Sequence, residues 1–293
     1  MTSFVFLWIN VFVSVAGVFE RGVGLDVGSD EESSEERDTD ATPARWAFQI
    51  WIPIFIWQLL WSLYTITLIF RKSDVTDRYL YISPAFLPSS FYAIFILHLS
   101  ITVTWLFAFD NEFNVASFVA LSSMALTLYV CVFFAVYLMW IFENELSRGE
   151  IWSNIVLVHN GLALYATWST VATLLTLRTM LVETLDVRSS SAAIVVLSLL
   201  LIIVVVYPAL EMFTVPVRLR YVLTPYLTLG VALAGLLDAH DWDNDSDSTA
   251  AILKIVTSAL LAVPTVVKVG VTAYRGVRHP TKAEGYEDDE DDE

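Results

Sequence analysis

The stretch Thr42–Phe70 constrains the fold of this chain more than any other. It carries four of the ten Trp residues, and after Arg45 no charged side chain follows until Arg71. About 20 apolar residues cross the hydrocarbon core of a bilayer, so this stretch is long enough to span it. We expect a helix, because lipid offers no hydrogen-bond partners to an open backbone.

Similar apolar segments recur along the chain and set its class. The 293 residues are 56% hydrophobic and 16% charged, whereas soluble domains carry about 25% charged residues. This composition predicts an all-α, polytopic helical membrane protein with about eight transmembrane helices. The predicted spans are 4–19, 46–70, 86–109, 114–142, 152–177, 191–215, 219–237 and 249–273.

Acidic residues produce the net charge of −16, and most of them lie outside the predicted spans. They gather in the segments 20–40, 238–247 and 284–293. Such runs of like charge are solvated, and they argue against nucleic acid as a partner. The single Cys131 lies in an apolar span, which excludes a disulfide framework and a thiol-based metal site.

Basic residues predict the orientation in the membrane. Ten Lys and Arg residues fall on one side and six on the other, and the richer side is normally cytoplasmic. We therefore expect both termini in the cytoplasm of a membrane that the sequence does not identify. Ser14–Gly17 resembles a cleavage site, so residues 1–17 are either part of a retained helix or a cleaved signal peptide.

One face of the predicted span 46–70 combines aromatic and polar side chains. Trp51, Phe55 and Gln58 recur at helical spacing, and Ser62 continues the stripe. Lipid cannot hydrogen-bond with the polar members, so this face is expected to contact protein or a cavity. The stripe lines either a ligand pocket or an ordinary helix–helix contact.

Residues in this stretch also carry a family resemblance. Pro43, Trp46, Phe48, Trp51 and Phe55 resemble, in order and spacing, the second-helix motif of the tryptophan-rich sensory protein family. This family is also known as TspO/MBR, the translocator protein or the peripheral-type benzodiazepine receptor family. The chain is identified as a distant, extended member with extra C-terminal helices.

The predicted span 86–109 carries the next motif of that family. Trp105 and Phe109 match the family's Trp and Phe, whereas Thr102 replaces its Asn and keeps a hydrogen-bonding group. His98 lies one turn earlier on the same stripe. A histidine within a membrane is either a functional residue or the hydrogen-bond partner of a neighbouring helix.

The predicted span 152–177 carries the third motif. Tyr165, Trp168 and Ala172 match the family pattern, while its Pro and Asn positions are replaced. Small residues on the same face allow a ligand or a neighbouring helix to approach closely. Both readings, a ligand-binding face and a tight helix–helix contact, stay open.

Other polar residues in the spans are expected to connect helices. His159 and Asn160 lie on faces away from the third motif, so we expect them to bridge neighbouring helices. Glu211 follows Pro208 by three residues and belongs either to a proton or cation path or to the cytoplasmic interface. We favour the interface, with Arg218 as the partner of this carboxylate.

The resemblance implies both an architecture and a ligand. It implies a five-helix bundle in residues 1–177 with an acidic loop at 20–43, then a three-helix extension at 178–275 and a disordered acidic tail at 276–293. Members bind tetrapyrroles, and several bind sterols, in sensing, regulation or transport. A planar apolar ligand can stack on aromatic rings. The expected ligand-binding residues are Trp51, Phe55, Gln58, His98, Thr102, Trp105, Phe109, Tyr165, Trp168 and Ala172.

The expected partners are the lipid bilayer and a small hydrophobic ligand, and the oligomeric state is left open between a monomer and a homodimer. No cofactor is required, although the ligand itself is expected to be a porphyrin, haem or a sterol. Paired intramembrane carboxylates, ligand-spaced His residues and phosphate loops are not found in the sequence, so no enzymatic activity is expected. The alternatives are a seven-helix receptor after signal-peptide cleavage and a secondary transporter.

Overall fold

The computed structural model describes three stretches of the chain, residues 41–214, 219–242 and 248–278. The predicted span 4–19 and the end of the acidic tail lie outside these residues. The choice between a retained helix and a cleaved signal peptide therefore stays a prediction.

The described residues form seven helices. Six of them are long and apolar enough to cross a membrane, and one is a shorter apolar helix. The predicted class, a polytopic helical membrane protein, is confirmed, while the count of eight stays a prediction. The helices are α1 (Trp51–Thr67), α2 (Ser89–Asp110), α3 (Asn114–Ile141), α4 (Arg148–Glu183), α5 (Ser189–Thr214), α6 (Thr224–Asp238) and α7 (Thr249–Arg278).

Successive helices run in opposite directions, so the loops gather at two ends of the bundle. Loops 68–88 and 142–147 lie at one end, which we call the inner end in line with the predicted orientation. Loops 111–113 and 184–188 lie at the other, the outer end. Which end faces the cytoplasm stays a prediction.

Helix α4 is the centre of the bundle. In its most apolar stretch 78% of the residues are buried, against 28% to 50% in the other five long helices. It packs against α1, α3, α5 and α6, whereas α7 packs against α5 and α6. Of the three C-terminal helices, α5 and α6 therefore contact the centre of the bundle directly, and α7 packs on their other side.

A 3-10 turn at Arg45–Ile50 directly precedes α1, and together they form the 23-residue stretch long enough to cross a membrane. Pro53 has no N–H to bond the carbonyl four residues earlier, which favours the tighter turn before it. The Trp46 indole at this start donates to the Asp238 carboxylate of α6 at 2.9 Å. The outer end of α1 is thus attached to the C-terminal end of α6.

Helix α4 contains one π-helical turn at Asn154–His159, between two α-helical parts. Side chains of α1 bond to the backbone of this region. Trp57 Nε1 donates to Val156 O at 3.0 Å, and Gln58 Nε2 donates to Gly161 O at 2.8 Å. These bonds join α1 to α4 through polar groups inside an otherwise apolar contact.

The start of α6 differs from the predicted span 219–237, because the helix begins only at Thr224. Asn160 of α4 supports the non-helical link before it. Its Oδ1 accepts from the backbone N of Leu223 at 3.0 Å, and its Nδ2 donates to the carbonyl of Tyr221 at 2.9 Å. The first N–H groups of a helix need such partners. The prediction that Asn160 bridges helices is confirmed.

Candidate ligand-binding site

Four aromatic rings from three helices meet inside the bundle. Trp51 of α1 stacks on Trp105 of α2, with 6.0 Å between ring centroids and 22° between planes. The same Trp51 ring makes edge contacts with Tyr165 and Trp168 of α4, at 5.9 Å and 6.4 Å. We call these four residues the aromatic cluster. It brings together rings that the three sequence motifs place on separate spans.

Helical spacing explains how each helix contributes to the cluster. Phe48, Trp51 and Phe55 lie three and four residues apart, so their rings project from one face. Phe55 stacks on Trp51 with 5.4 Å between centroids, and Phe48 meets Trp168 edge-on at 6.0 Å. Tyr165 and Trp168 are likewise three residues apart on α4. The predicted aromatic stripe of α1 therefore faces protein.

His98 of α2 lies beside the cluster. Its ring is 5.0 Å from that of Tyr165, edge to face, and its Nδ1 lies 3.4 Å from the Thr127 hydroxyl of α3. Thr102, one turn later, donates its hydroxyl to the His98 carbonyl at 3.0 Å. The Thr102 hydroxyl therefore bonds within its own helix, whereas the second ring nitrogen of His98, Nε2, has no hydrogen-bond partner among the described residues.

Three buried nitrogen atoms around the cluster have no hydrogen-bond partner among the described residues. They are His98 Nε2, Trp105 Nε1 and Trp168 Nε1. A buried polar group left unpaired costs about 1–3 kcal/mol. An indole N–H can only donate, so the two Trp residues suit a ligand that carries acceptor atoms.

Three of the four rings of the cluster are buried, and Trp105 is half-buried. Trp51 is 6% exposed, Tyr165 1% and Trp168 0%, because the rings contact one another. A packed group of rings therefore takes the place of the open pocket expected from the sequence. A planar ligand would have to enter by separating the Trp51 ring from its neighbours.

Two predicted site residues, Gln58 and Ala172, lie apart from these ring contacts, and a third, Phe109, joins them at an exposed edge. Gln58 is engaged with the backbone of α4, and its Oε1 accepts from Trp61 Nε1 at 2.6 Å. Phe109 contacts Trp105 with 5.8 Å between centroids but is 45% exposed. Ala172 is half-buried on α4, one turn after Trp168. The structure thus gathers seven of the ten predicted residues closely.

A buried ion pair at the inner end was not predicted. Glu211 of α5 pairs with Lys268 of α7 and accepts from the Tyr226 hydroxyl at 2.7 Å. Lys268 also donates to the carbonyl of Leu219 at 2.7 Å. Glu211 therefore pairs with Lys268, while the side chain of Arg218, the predicted partner, lies outside the described residues. A lysine inside an apolar span was the available signal.

The cavities of the bundle lie away from the aromatic cluster. Two cavities of about 220 and 210 Å³ lie between α3, α4, α5 and α6, and both are lined by Tyr129, Thr167, Tyr207 and Pro225. Sites for drug-sized ligands usually measure about 300–1,000 Å³. Each of these two cavities is therefore small for a tetrapyrrole. An open cleft of about 750 Å³ at the outer ends of α2 and α3, lined by residues that include Ile101, Thr104 and Val119, is large enough.

Metal-ligating side chains do not gather in the part of the chain that the structure describes. No group of three or more His, Cys, Asp or Glu residues there could hold a metal ion. Cys131 is buried as a free thiol in α3.

One known protein family matches this chain over most of its length. A family model described as TSPO-like protein matches residues 2–267, which include the three motifs, α5, α6 and most of α7. A search of curated proteins and a search of solved structures returned no match. The match covers most of the chain. The apolar helices of the structure and its converging aromatic motifs agree with this family assignment. The chain is an integral multi-pass membrane protein that belongs to the TSPO-like family.

Proposed function

We propose that this protein binds a hydrophobic planar ligand, a tetrapyrrole or a sterol-like molecule, at the aromatic cluster, for sensing, regulation or transport. The meeting of Trp51, Trp105, Tyr165 and Trp168 carries this proposal. Flat apolar molecules gain from stacked and edge-on contacts with such rings. A few polar groups in an apolar site fix the orientation of the ligand.

Trp51 is the residue that has to move when the ligand enters. It is the member of the cluster on α1, and it contacts the other three rings. The start of α1 is bonded to α6 through Trp46 and Asp238. We therefore expect rotation of the Trp51 side chain, rather than displacement of the whole helix, to open the space.

The remaining predicted residues have graded roles in the proposal. Phe55 forms a wall of the site beside Trp51, and His98 offers its unpaired nitrogen to the ligand. Thr102 orients α2 locally, and Gln58 holds α1 against α4. Phe109 and Ala172 lie at the edge of the site. No cofactor and no enzymatic step enter the proposal.

The proposal is tested by titrating purified protein with protoporphyrin and following the absorbance of the ligand. Trp51→Ala combined with Trp168→Ala should weaken binding about fivefold or more, since ring pairs contribute about 0.5–1.5 kcal/mol each. Trp140→Ala serves as the control, because this Trp lies on α3 with 45% of its surface exposed. An unchanged midpoint in the double variant would remove the site assignment.

A second candidate function, secondary transport, is favoured by a separate observation. The buried pair Glu211–Lys268 lies beside the non-helical link 219–223, to which Lys268 donates. Transporters place charged groups and unwound backbone together at their ion sites. Reconstituted protein should then show ligand uptake that depends on an ion gradient and is lost in Glu211→Gln. Uptake indifferent to every gradient would leave ligand binding alone.

The orientation and the assembly state complete the proposal. We expect both termini in the cytoplasm, and protease protection of terminal tags in intact vesicles measures this. Native mass spectrometry of the detergent-solubilised protein distinguishes a monomer from a homodimer.

A further inference from the structure

The π-helical turn of α4 carries a second group of buried polar atoms, away from the aromatic cluster. Asn154 and His159 are the first and last residues of this turn, and both are 0% exposed. Among the described residues, these are the two with two buried side-chain polar atoms each that lack a hydrogen-bond partner. Four unpaired polar atoms therefore belong to one turn of one helix.

The π turn itself brings these two side chains together. Five residues apart on an α-helix means about 140° apart around the axis. In a π turn the backbone bonds link residues five apart, as between Asn160 N and Ile155 O, so Asn154 and His159 lie on one side, one turn apart. His159 interacts with the backbone of Ala135 on α3, although neither of its ring nitrogens has a close hydrogen-bond partner among the described residues.

Polar groups continue from this turn to the inner end of the bundle. Glu150 lies one turn before Asn154, is buried, and pairs at 3.4 Å with Arg71, whose side chain is 44% exposed. The Tyr64 hydroxyl of α1 is buried without a partner among the described residues and lies within electrostatic reach of Glu150 and Arg71. Polar side chains thus recur on successive turns of α4, from the Arg71–Glu150 pair through Asn154 to His159.

Two other polar residues of α4 near the π turn are paired, while further along the helix Trp168 Nε1 and Ser169 Oγ also lack a partner among the described residues. Asn160, the next residue, bonds to Tyr221, Leu223 and Thr224. Thr167 donates its hydroxyl to the carbonyl of the preceding turn, as hydroxyls inside membrane helices commonly do. The side chains at the two ends of the π turn therefore need a specific explanation.

We propose that Asn154 and His159 form a buried water site, reached from the inner end of the bundle past Glu150. An uncharged amide and an uncharged imidazole together offer donors and acceptors, which matches a water molecule with its two to four hydrogen bonds. An apolar ligand would leave all four atoms unpaired. Outward from His159, Leu162 and Ala166 are 0% exposed, so the polar series ends there.

The consequence is a hydrated path that enters the membrane-spanning bundle from one end and stops at a histidine. It is separate from the proposed ligand site, which lies on another side of α4. Such buried ionisable groups inside membranes commonly mark routes for water and protons.

The test compares two equally buried histidines in the same protein. Exchange of the imidazole C2 hydrogen for deuterium requires water at the ring, and mass spectrometry reads it for each histidine of the full chain in lipid nanodiscs. His159 and His98 are both 0% exposed, yet we expect His159 to exchange about tenfold faster, in line with the spread of local protection in proteins. Equal exchange at the two residues would overturn the proposal.

Variants locate the route of the water. Asn154→Leu places an apolar side chain between Glu150 and His159, and should slow His159 exchange to the rate of His98. Ser153→Ala is the control, because that hydroxyl donates to Gly149 O and its removal should leave the rate unchanged. A folded Asn154→Leu protein with unchanged His159 exchange would also overturn the proposal. The comparison of His159 with His98 in the unmodified protein does not depend on the folding of any variant.

Discussion

The aromatic cluster and the contact between α4 and α6 differ in whether their buried polar groups have hydrogen-bond partners. At the contact, Asn160 uses both side-chain polar atoms and its carbonyl to bond the link and the start of α6. At the cluster, apolar rings pack closely while nitrogens of Trp105 and Trp168 stay unpaired among the described residues. Satisfied polar groups indicate a structural role, whereas each unsatisfied buried group needs an explanation, which the proposed ligand would supply at the cluster.

The largest effect on stability is expected from Asn160→Ala, which removes the side-chain hydrogen bonds of the contact between α4 and α6. The change leaves backbone groups of Tyr221, Leu223 and Thr224 unpaired, and each costs about 1–3 kcal/mol. Stability should fall by about 3 kcal/mol or more, measured by unfolding in detergent. Asn111→Ala is the control, because its amide bonds only the exposed end of α2. A variant as stable as this control would show that the link holds without Asn160.

An intermediate effect on stability is expected from Gln58→Leu. This change distinguishes a role of Gln58 in helix packing from a role in ligand binding. The substitution removes the bond to Gly161 O and leaves Trp61 Nε1 without its acceptor, so stability should fall by about 2 kcal/mol. Protoporphyrin affinity should stay within about twofold, because Gln58 lies apart from the ring contacts. If affinity falls further while stability holds, Gln58 belongs to the ligand site.

The smallest effect on the fold is expected from Trp168→Phe. The ring contact with Trp51 is largely kept, and the lost N–H has no partner among the described residues. Stability should therefore change by less than about 1 kcal/mol. Protoporphyrin binding should weaken about threefold, while a porphyrin with esterified carboxylates should bind both proteins nearly equally. Equal loss for both porphyrins would point to the ring rather than to the N–H.

The helices could be predicted because the bilayer dictates their length. Apolar runs of about 20 residues mark membrane helices whatever their neighbours are, and the predicted spans agree with α1 to α5 and α7. The start of α6 could not be found in this way. It depends on Asn160, which lies 64 residues earlier in the chain than Thr224, so only the tertiary structure reveals it.

The members of the aromatic cluster could be predicted from the sequence, but their close packing could not. Helical spacing places Trp51, Tyr165 and Trp168 on defined faces, and the motifs indicate that these faces meet. Whether the rings enclose a space depends on side-chain packing, which spacing does not encode. The π turn at Asn154–His159 has no local sequence signal either, and the pairing of Glu211 with Lys268 joins residues 57 positions apart.

The bond between Trp46 and Asp238 has a consequence for how the bundle can respond. Five residues, about 10 Å of 3-10 turn, separate this attachment from Trp51. A shift of the backbone at Trp51 is therefore transmitted to the C-terminal end of α6 through fewer than two helical turns. Helix α6 packs against the 3-10 turn that leads to Trp51, so under the proposed function we expect its position to respond when a ligand binds.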